Sequence, residues 1–204
     1  MVEVARIYDF DDTIVDRGKL PRLGGLIAGS LHRHQLRVLT LDDISSLELD
    51  HNSVTGTADG LAERISLRLH SDRQVFPQAR QALLAVDPEE IHVYGATGRS
   101  NKDDWVDMTR NTLDEADILG CFQRIFYTPE GVRPTISKAH VVWMLGQQYP
   151  KLEFNDDDPR TIWVLAQLFP LVRFNYHHHR ITDRLPAARE LDQFANVHII
   201  PAFR

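Results

Sequence analysis

A short apolar segment, Val4–Tyr8, runs directly into Asp9-Phe10-Asp11-Asp12-Thr13 near the start of the chain. This junction limits the possible folds more than any other feature. Val4, Ile7 and Tyr8 read as a buried strand. A strand that stops at three carboxylates and a threonine suits an open α/β sheet, where ligands bind in the crevice beyond the carboxyl ends of the strands. In extended backbone Asp9 and Asp11, two residues apart, project to the same side. Like charges held that close repel, and the pair persists best around a hard cation. Asp also favours turns and helix N-caps, so the cluster alone could be a solvated turn. Its companions downstream argue for a site.

Further apolar segments at 91–96, 124–127, 152–155, 171–176 and 197–200 read as strands. Helical patterns at 77–85, 102–119, 136–148 and Pro159–Leu168 lie between them. Within 102–119, Trp105, Met108, Thr112, Ala116 and Leu119 recur at three- and four-residue steps and predict one buried stripe. Such alternation predicts a Rossmann-like α/β fold, a mostly parallel sheet with helices on both faces. Residues 17–75 interrupt the pattern, with helices predicted over 20–36 and 61–69 and a short strand at Leu47-Glu48-Leu49. The expected organisation is a core of residues 1–16 and 76–204 with 17–75 as a flap and small cap inserted after the first strand. A long stretch with apolar content inside a compact domain is structured rather than loose.

The 204 residues are 43% apolar and 25% charged, which allows one substantial core. No run approaches the ~18 apolar residues needed to span a bilayer, and no secretory signal is expected before the first strand. Cys121 is the only cysteine, so no intrachain disulfide is possible and a reducing, cytoplasmic home is expected. Gly120-Cys121-Phe122 reads as core packing rather than as a nucleophile. The formal charge of −6 disfavours broad nucleic-acid adhesion. Residues 171–204 run the other way, with five arginines against three acids and His177, His178, His179 and His198 beside them. Consecutive histidines on a strand face alternate sides, so His177-His178-His179 reads as a solvated strand end rather than a metal site.

Asp-x-Asp-x-Thr at the end of an N-terminal strand resembles the first motif of the haloacid dehalogenase superfamily of phosphohydrolases and phosphotransferases. Three further motifs of that family find counterparts in order. Thr97-Gly98-Arg99 follows an apolar segment, Lys138 lies near the start of a helical pattern, and Asp156-Asp157 follows Leu152-Glu153-Phe154-Asn155. Each has a bland alternative: Thr97 as an N-cap, Lys138 as a solvated helix lysine, Asp156-Asp157-Asp158-Pro159 as a helix start. For the Asp156–Asp158 run the helix start and the metal role are compatible, since one Asp can cap while another binds metal.

The resemblance implies a central first strand flanked by the strands of the second and fourth motifs. It implies Asp9 as nucleophile, Asp11 as general acid and base, and Thr97 and Lys138 as further catalytic groups. Phe10, Thr13, Gly98 and Arg99 are implied to bind substrate, chiefly through hydroxyls and backbone N–H groups around the phosphoryl oxygens. Mg²⁺ is the implied cofactor, held by Asp9, Asp11 through its carbonyl, Asp156 and Asp157. The expected activity is hydrolysis of a phosphate monoester through an aspartyl-phosphate, on a small metabolite or a nucleic-acid end, with no membrane partner. Thr97-Gly98-Arg99 with Met108-Thr109-Arg110 also resembles the phosphatase half of polynucleotide end-repair enzymes, although those carry Arg where this chain has Asp158. A receiver domain combines similar groups, but places the acidic pair and the accepting Asp on different strands. A catalytically silent phosphate-binding module is the remaining rival, and it offers no physical reason to keep clustered repelling carboxylates.

Overall fold

The computed structural model describes residues 2–16, 39–57, 60–71, 73–178 and 186–203. The helix predicted over 20–36, and His179 with its basic neighbours Arg180 and Arg184, lie outside the described residues. Six strands form one sheet: β1 (Val4–Tyr8), β2 (Ile91–Ser100), β3 (Phe122–Thr128), β4 (Lys151–Asp156), β5 (Arg173–His178) and β6 (Val197–Pro201). Their order is β3-β2-β1-β4-β5-β6, and every neighbouring pair is parallel. The first strand is therefore central, as expected. Tyr8 lies level with Gly95 on one side and Asn155 on the other, so the acidic motifs leave the sheet side by side. The chain turns in opposite directions on either side of β1, which opens a crevice there.

Described helices are α1 (Leu41–Ser45), α2 (Leu61–His70), α3 (Pro77–Leu84), α4 (Asp103–Glu115), α5 (Pro134–Gly146), α6 (Pro159–Leu168) and α7 (Pro186–Glu190). Alternation along the strands divides the core between the two sheet faces. Ala5, Ile7, Phe154, Phe174 and Tyr176 pack with Val142 and Leu145 of α5 and Ile162 and Leu165 of α6. Tyr8, Phe10 and Val93 pack with Ala79 and Leu83 of α3 and Leu113 of α4. Parallel sheets need both faces covered, and the alternation of elements supplies this.

Three local expectations need correction. Leu47-Glu48-Leu49 is not a strand. Thr40 accepts from the Asp43 N–H while the Asp43 carboxylate accepts from the Thr40 N–H, a capping box that starts α1 and buries Ile44. Helix α4 buries Trp105, Thr109, Thr112 and Leu113, so the stripe is rotated from the predicted one and Met108 sits at its margin. His177 is buried rather than solvated, while His178 is exposed, because strand alternation turns only the first inward. Cys121 is half-buried beside the Phe10 cluster, as expected for a packing residue.

Residues 51–55 cross the free edge of β3. His51 Nδ1 lies 3.0 Å from the Tyr127 carbonyl, the Arg124 Nε donates to Asn52, and the Asn101 amide donates to the Ser53 carbonyl at 2.7 Å. An edge strand is a template for unwanted pairing, and this strap occupies it. Among the described residues no helix is long and apolar enough to cross a membrane.

Gly95 sits beneath Phe10. A Cβ added there would lie 2.5 Å from Phe10 Cζ, and Phe10 is fully buried edge-on to Phe122. Gly95→Ala is expected to destabilise the fold by about 1–3 kcal/mol through overpacking, read as a lower urea midpoint.

Candidate active site

The site is built from strand ends. The Asp9 N–H donates to the Asn155 carbonyl at 2.9 Å, so the residue just past β1 is tied to β4 one position before Asp156. The chain then turns sharply: Asp12 takes a positive φ of 62°, and the Ile14 and Val15 N–H groups donate to the Phe10 carbonyl. Asp tolerates that conformation better than most residues. The returning segment pairs with 74–76 through Asp16 N–H to Gln74 and Phe76 N–H to Ile14.

Asp9, Asp156 and Asp157 are buried, and one carboxylate oxygen from each lies within 4.8 Å of the others. Lys138, from the first half of α5, points its Nζ between two of them, 3.1 Å from Asp9 and 2.7 Å from Asp156. Three acids thus gather around one ammonium. Burial above all, then Asp156 and Asp11, push the Asp9 carboxyl up to about 7 against the pull of Lys138. Burial likewise raises Asp156. Lys138 resists the same burial and is held well above its ordinary range by Asp156 and Asp9. The donor set, oxygen-only, fits a hard divalent cation such as Mg²⁺.

Asp158 does not face this cluster. Its carboxylate caps α6 through the Arg160 N–H at 3.0 Å and pairs with the Arg160 guanidinium at 2.9 and 3.0 Å. The Asp156-Asp157-Asp158 run is thus divided between the buried carboxylate trio and the helix cap.

The Asp11 carboxylate is outside this trio and is held by two arginines. Arg99 donates through Nη2 at 2.7 Å and Nε at 3.3 Å, and Arg73 through Nη1 at 2.9 Å. Burial opposes its charge, but Arg99, then His70 and Arg73, hold it well below the usual carboxylate range. Only its backbone carbonyl remains for the metal role the resemblance implies. Arg99 is itself buried, and its Nη1 donates to Thr109 at 2.8 Å. Thr97 is buried near the end of β2, where its hydroxyl accepts from the Arg99 N–H at 3.1 Å. Gly98 is exposed and lies against Pro134, the first residue of α5. Phe10 faces the core, so only its backbone can serve a ligand. Thr13 is fully buried, with no hydrogen-bond partner for its hydroxyl among the described residues.

Arg73 was not singled out from the sequence, nor was His70, which stacks edge-on against Trp105 with ring centroids 5.0 Å apart. Both lie in the segment between strands, where no local pattern signals an ion pair to a residue 62 positions earlier. The only hint was Phe76-Pro77, which marks the return to the core.

The fold is shared with solved structures. A protein from Clostridium difficile assigned as a phosphatase superposes with a TM-score of 0.56 at 12% identity, covering 98% of this chain and 95% of that one. This chain has the haloacid dehalogenase-like fold. A Thermotoga maritima protein assigned as a β-phosphoglucomutase gives 0.55 at 17% identity over 97% and 94% of the chains. A haloacid dehalogenase-type hydrolase from Bacillus subtilis, solved bound to magnesium, gives 0.50 at 12% identity over 86% and 89%. No protein-family model matches the sequence, and no curated protein does.

Proposed function

We propose that the chain is a Mg²⁺-dependent phosphohydrolase that cleaves a phosphate monoester through an aspartyl-phosphate on Asp9. One observation carries the reading: Lys138 bridges Asp9 and Asp156 while Asp157 completes a buried carboxylate trio at the sheet's switch point. Asp9, Asp156 and Asp157, with the Asp11 carbonyl, would hold the ion, which supplies positive charge to the phosphoryl oxygens. In this reading Asp9 is the carboxylate that attacks phosphorus. Lys138 offsets the crowding of Asp9 and the phosphoryl group. Thr97 and the backbone N–H groups near Phe10 and Gly98 cradle the phosphoryl oxygens. Asp11 protonates the leaving oxygen and later takes a proton from the hydrolytic water. Because Arg99 and Arg73 hold Asp11 ionised, substrate must loosen that pairing before Asp11 carries a proton.

The substrate is a small phosphate ester or a nucleic-acid 3′ end. The Arg99–Thr109 bond joins Thr97-Gly98-Arg99 to Met108-Thr109-Arg110, the two segments that resemble polynucleotide phosphatases, and it favours including that class. A panel of nucleotides, sugar phosphates and 3′-phosphorylated oligonucleotides tests the reading. Mg²⁺-dependent release of phosphate from one class supports it, and release from none supports a silent binding module.

Chelation should abolish turnover, Mg²⁺ should restore it, and Ca²⁺ should substitute poorly because its larger, looser shell spoils in-line geometry. Asp156→Ala should raise the Mg²⁺ requirement far more than Asp158→Ala, since Asp158 is committed to the α6 cap and Arg160. Equal responses in a Mg²⁺ titration of activity would overturn the division of labour. The raised Asp9 fixes a pH dependence as well. Below about 7 the metal-free Asp9 carries a proton that Mg²⁺ must displace, so affinity should weaken as pH falls through that value. Calorimetry in buffers of different ionisation enthalpy should register the released proton.

A further inference from the structure

On the sheet face opposite α5 and α6, three side chains from adjacent strands form a buried polar ladder. Asn155 is 3% exposed, Asn175 7% and His177 1%. Asn155 and Asn175 are paired in register across β4 and β5, and His177 follows two residues later on the same face. Such a face normally carries apolar side chains, and buried amides are costly unless satisfied.

The hydrogen bonds run in one consistent direction. The Asn155 Nδ2 donates to the Ile7 carbonyl at 3.1 Å, so its Oδ1 is the acceptor. That oxygen receives the Asn175 Nδ2 at 3.1 Å and the His177 Nε2 at 3.2 Å. The Asn175 Oδ1 in turn receives the Arg173 Nε at 3.2 Å. His177 must therefore carry its proton on Nε2. Its Nδ1 is buried without a hydrogen-bond partner among the described residues, and the ring packs on Phe203 with centroids 5.0 Å apart. Burial lowers the histidine to about 4, so it stays neutral, as a single-donor role requires.

The ladder converges on the two acidic motifs. Asn155 immediately precedes Asp156, its side chain grips the Ile7 carbonyl two residues before Asp9, and its own carbonyl accepts the Asp9 N–H. We propose that Asn155, buttressed by Asn175 and His177, is a positioning residue that sets the spacing of Asp9 against Asp156 and thereby the affinity of the site for a divalent cation. The claim rests on the metal reading of the Asp9, Asp156 and Asp157 cluster. Hydrogen-bonded groups behind metal ligands typically contribute about 10–100-fold to affinity. Asn155 acts through the backbone of both motifs, so the lower end applies, and His177, one bond further out, should contribute less.

The test is calorimetric titration of the full chain with MgCl₂ at a fixed pH near 8. Asn155→Leu, which keeps bulk and removes every side-chain bond, should weaken Mg²⁺ binding about tenfold. His177→Phe keeps the ring against Phe203 but loses the donor, and should weaken binding about threefold on the same basis. His177→Gln, which restores an N–H at similar reach, should return to within about twofold of wild type and separate the hydrogen bond from packing. The Mg²⁺ needed for half-maximal turnover should rise in parallel with the loss of affinity. If Asn155→Leu does not fold, His177→Phe and His177→Gln decide alone. Mg²⁺ affinity unchanged in His177→Phe, or equally weak in His177→Gln, overturns the proposal with the metal reading intact. A wild type that takes up no Mg²⁺ overturns the metal reading and the proposal with it.

Discussion

Asp9→Asn should reduce turnover by about three orders of magnitude or more, the scale on which removing a nucleophile acts. The substitution keeps size and hydrogen bonding, and the backbone bond from residue 9 to the Asn155 carbonyl is untouched. It removes the attacking charge, one of three clustered carboxylates and one partner of Lys138. The fold should survive, because the change also relieves repulsion from Asp156 and Asp11, two of the influences that raise Asp9 in the metal-free protein. Thermal midpoints equal to or above wild type, together with lost activity, are the expected pair of results. Beryllium fluoride, which mimics a carboxylate-bound phosphoryl group, should bind the wild type and not the variant. Retention of more than about a tenth of the wild-type rate would exclude Asp9 as the nucleophile.

Asp11→Asn should split the reaction in two. The backbone carbonyl is preserved, so Mg²⁺ binding should change little, but proton transfer is lost. An aryl phosphate has a good leaving group that needs little protonation, so formation of the aspartyl-phosphate should continue while its hydrolysis stalls for want of a base. Rapid mixing should show a burst near one product per chain followed by a slow steady rate. With an alkyl phosphate both steps should be slow and the burst should vanish. The ion pairs add a second consequence. Arg99 and Arg73 have side chains only 2% and 4% exposed and share the Asp11 carboxylate, so the neutral amide removes a negative charge that both buried cations face. A loss of about 3 kcal/mol is expected, toward the lower end for breaking a buried pair because the amide oxygen can still accept. Both the burst and the lowered urea midpoint are needed; near wild-type turnover of both esters would remove Asp11 from the chemistry.

The acidic edge of the sheet was legible in the sequence because charge pattern and secondary structure coincide there. Val4–Tyr8 is apolar and stops at carboxylates that cannot continue a buried strand, so strand and site announce each other. The same holds for Asp156-Asp157-Asp158-Pro159, where a Pro one residue past the capping Asp marks the start of α6. What escaped was long-range or depended on which face was covered. Arg73 meets Asp11 only because the turn at 11–16 pairs with 74–76, and nothing local to Arg73 encodes that. Leu47-Glu48-Leu49 alternates like a strand, yet the capping box of Thr40 and Asp43 upstream is the stronger signal and was readable as a helix start. The Asn155–Asn175–His177 ladder fits a strand's period of two, but its burial depends on Phe203 and the rest of the fold, which the pattern does not reveal.

In the proposed reaction the phosphoryl group passes through Asp9. Quenching the Asp11→Asn variant in mid-burst with an aryl phosphate, reducing with borohydride and mapping peptides by mass spectrometry tests it most directly. Homoserine is expected at position 9, at a level that follows the burst and disappears in the absence of Mg²⁺. Product released with an unmodified Asp9, or homoserine appearing at Asp12, Asp156 or Asp157 instead, would contradict it.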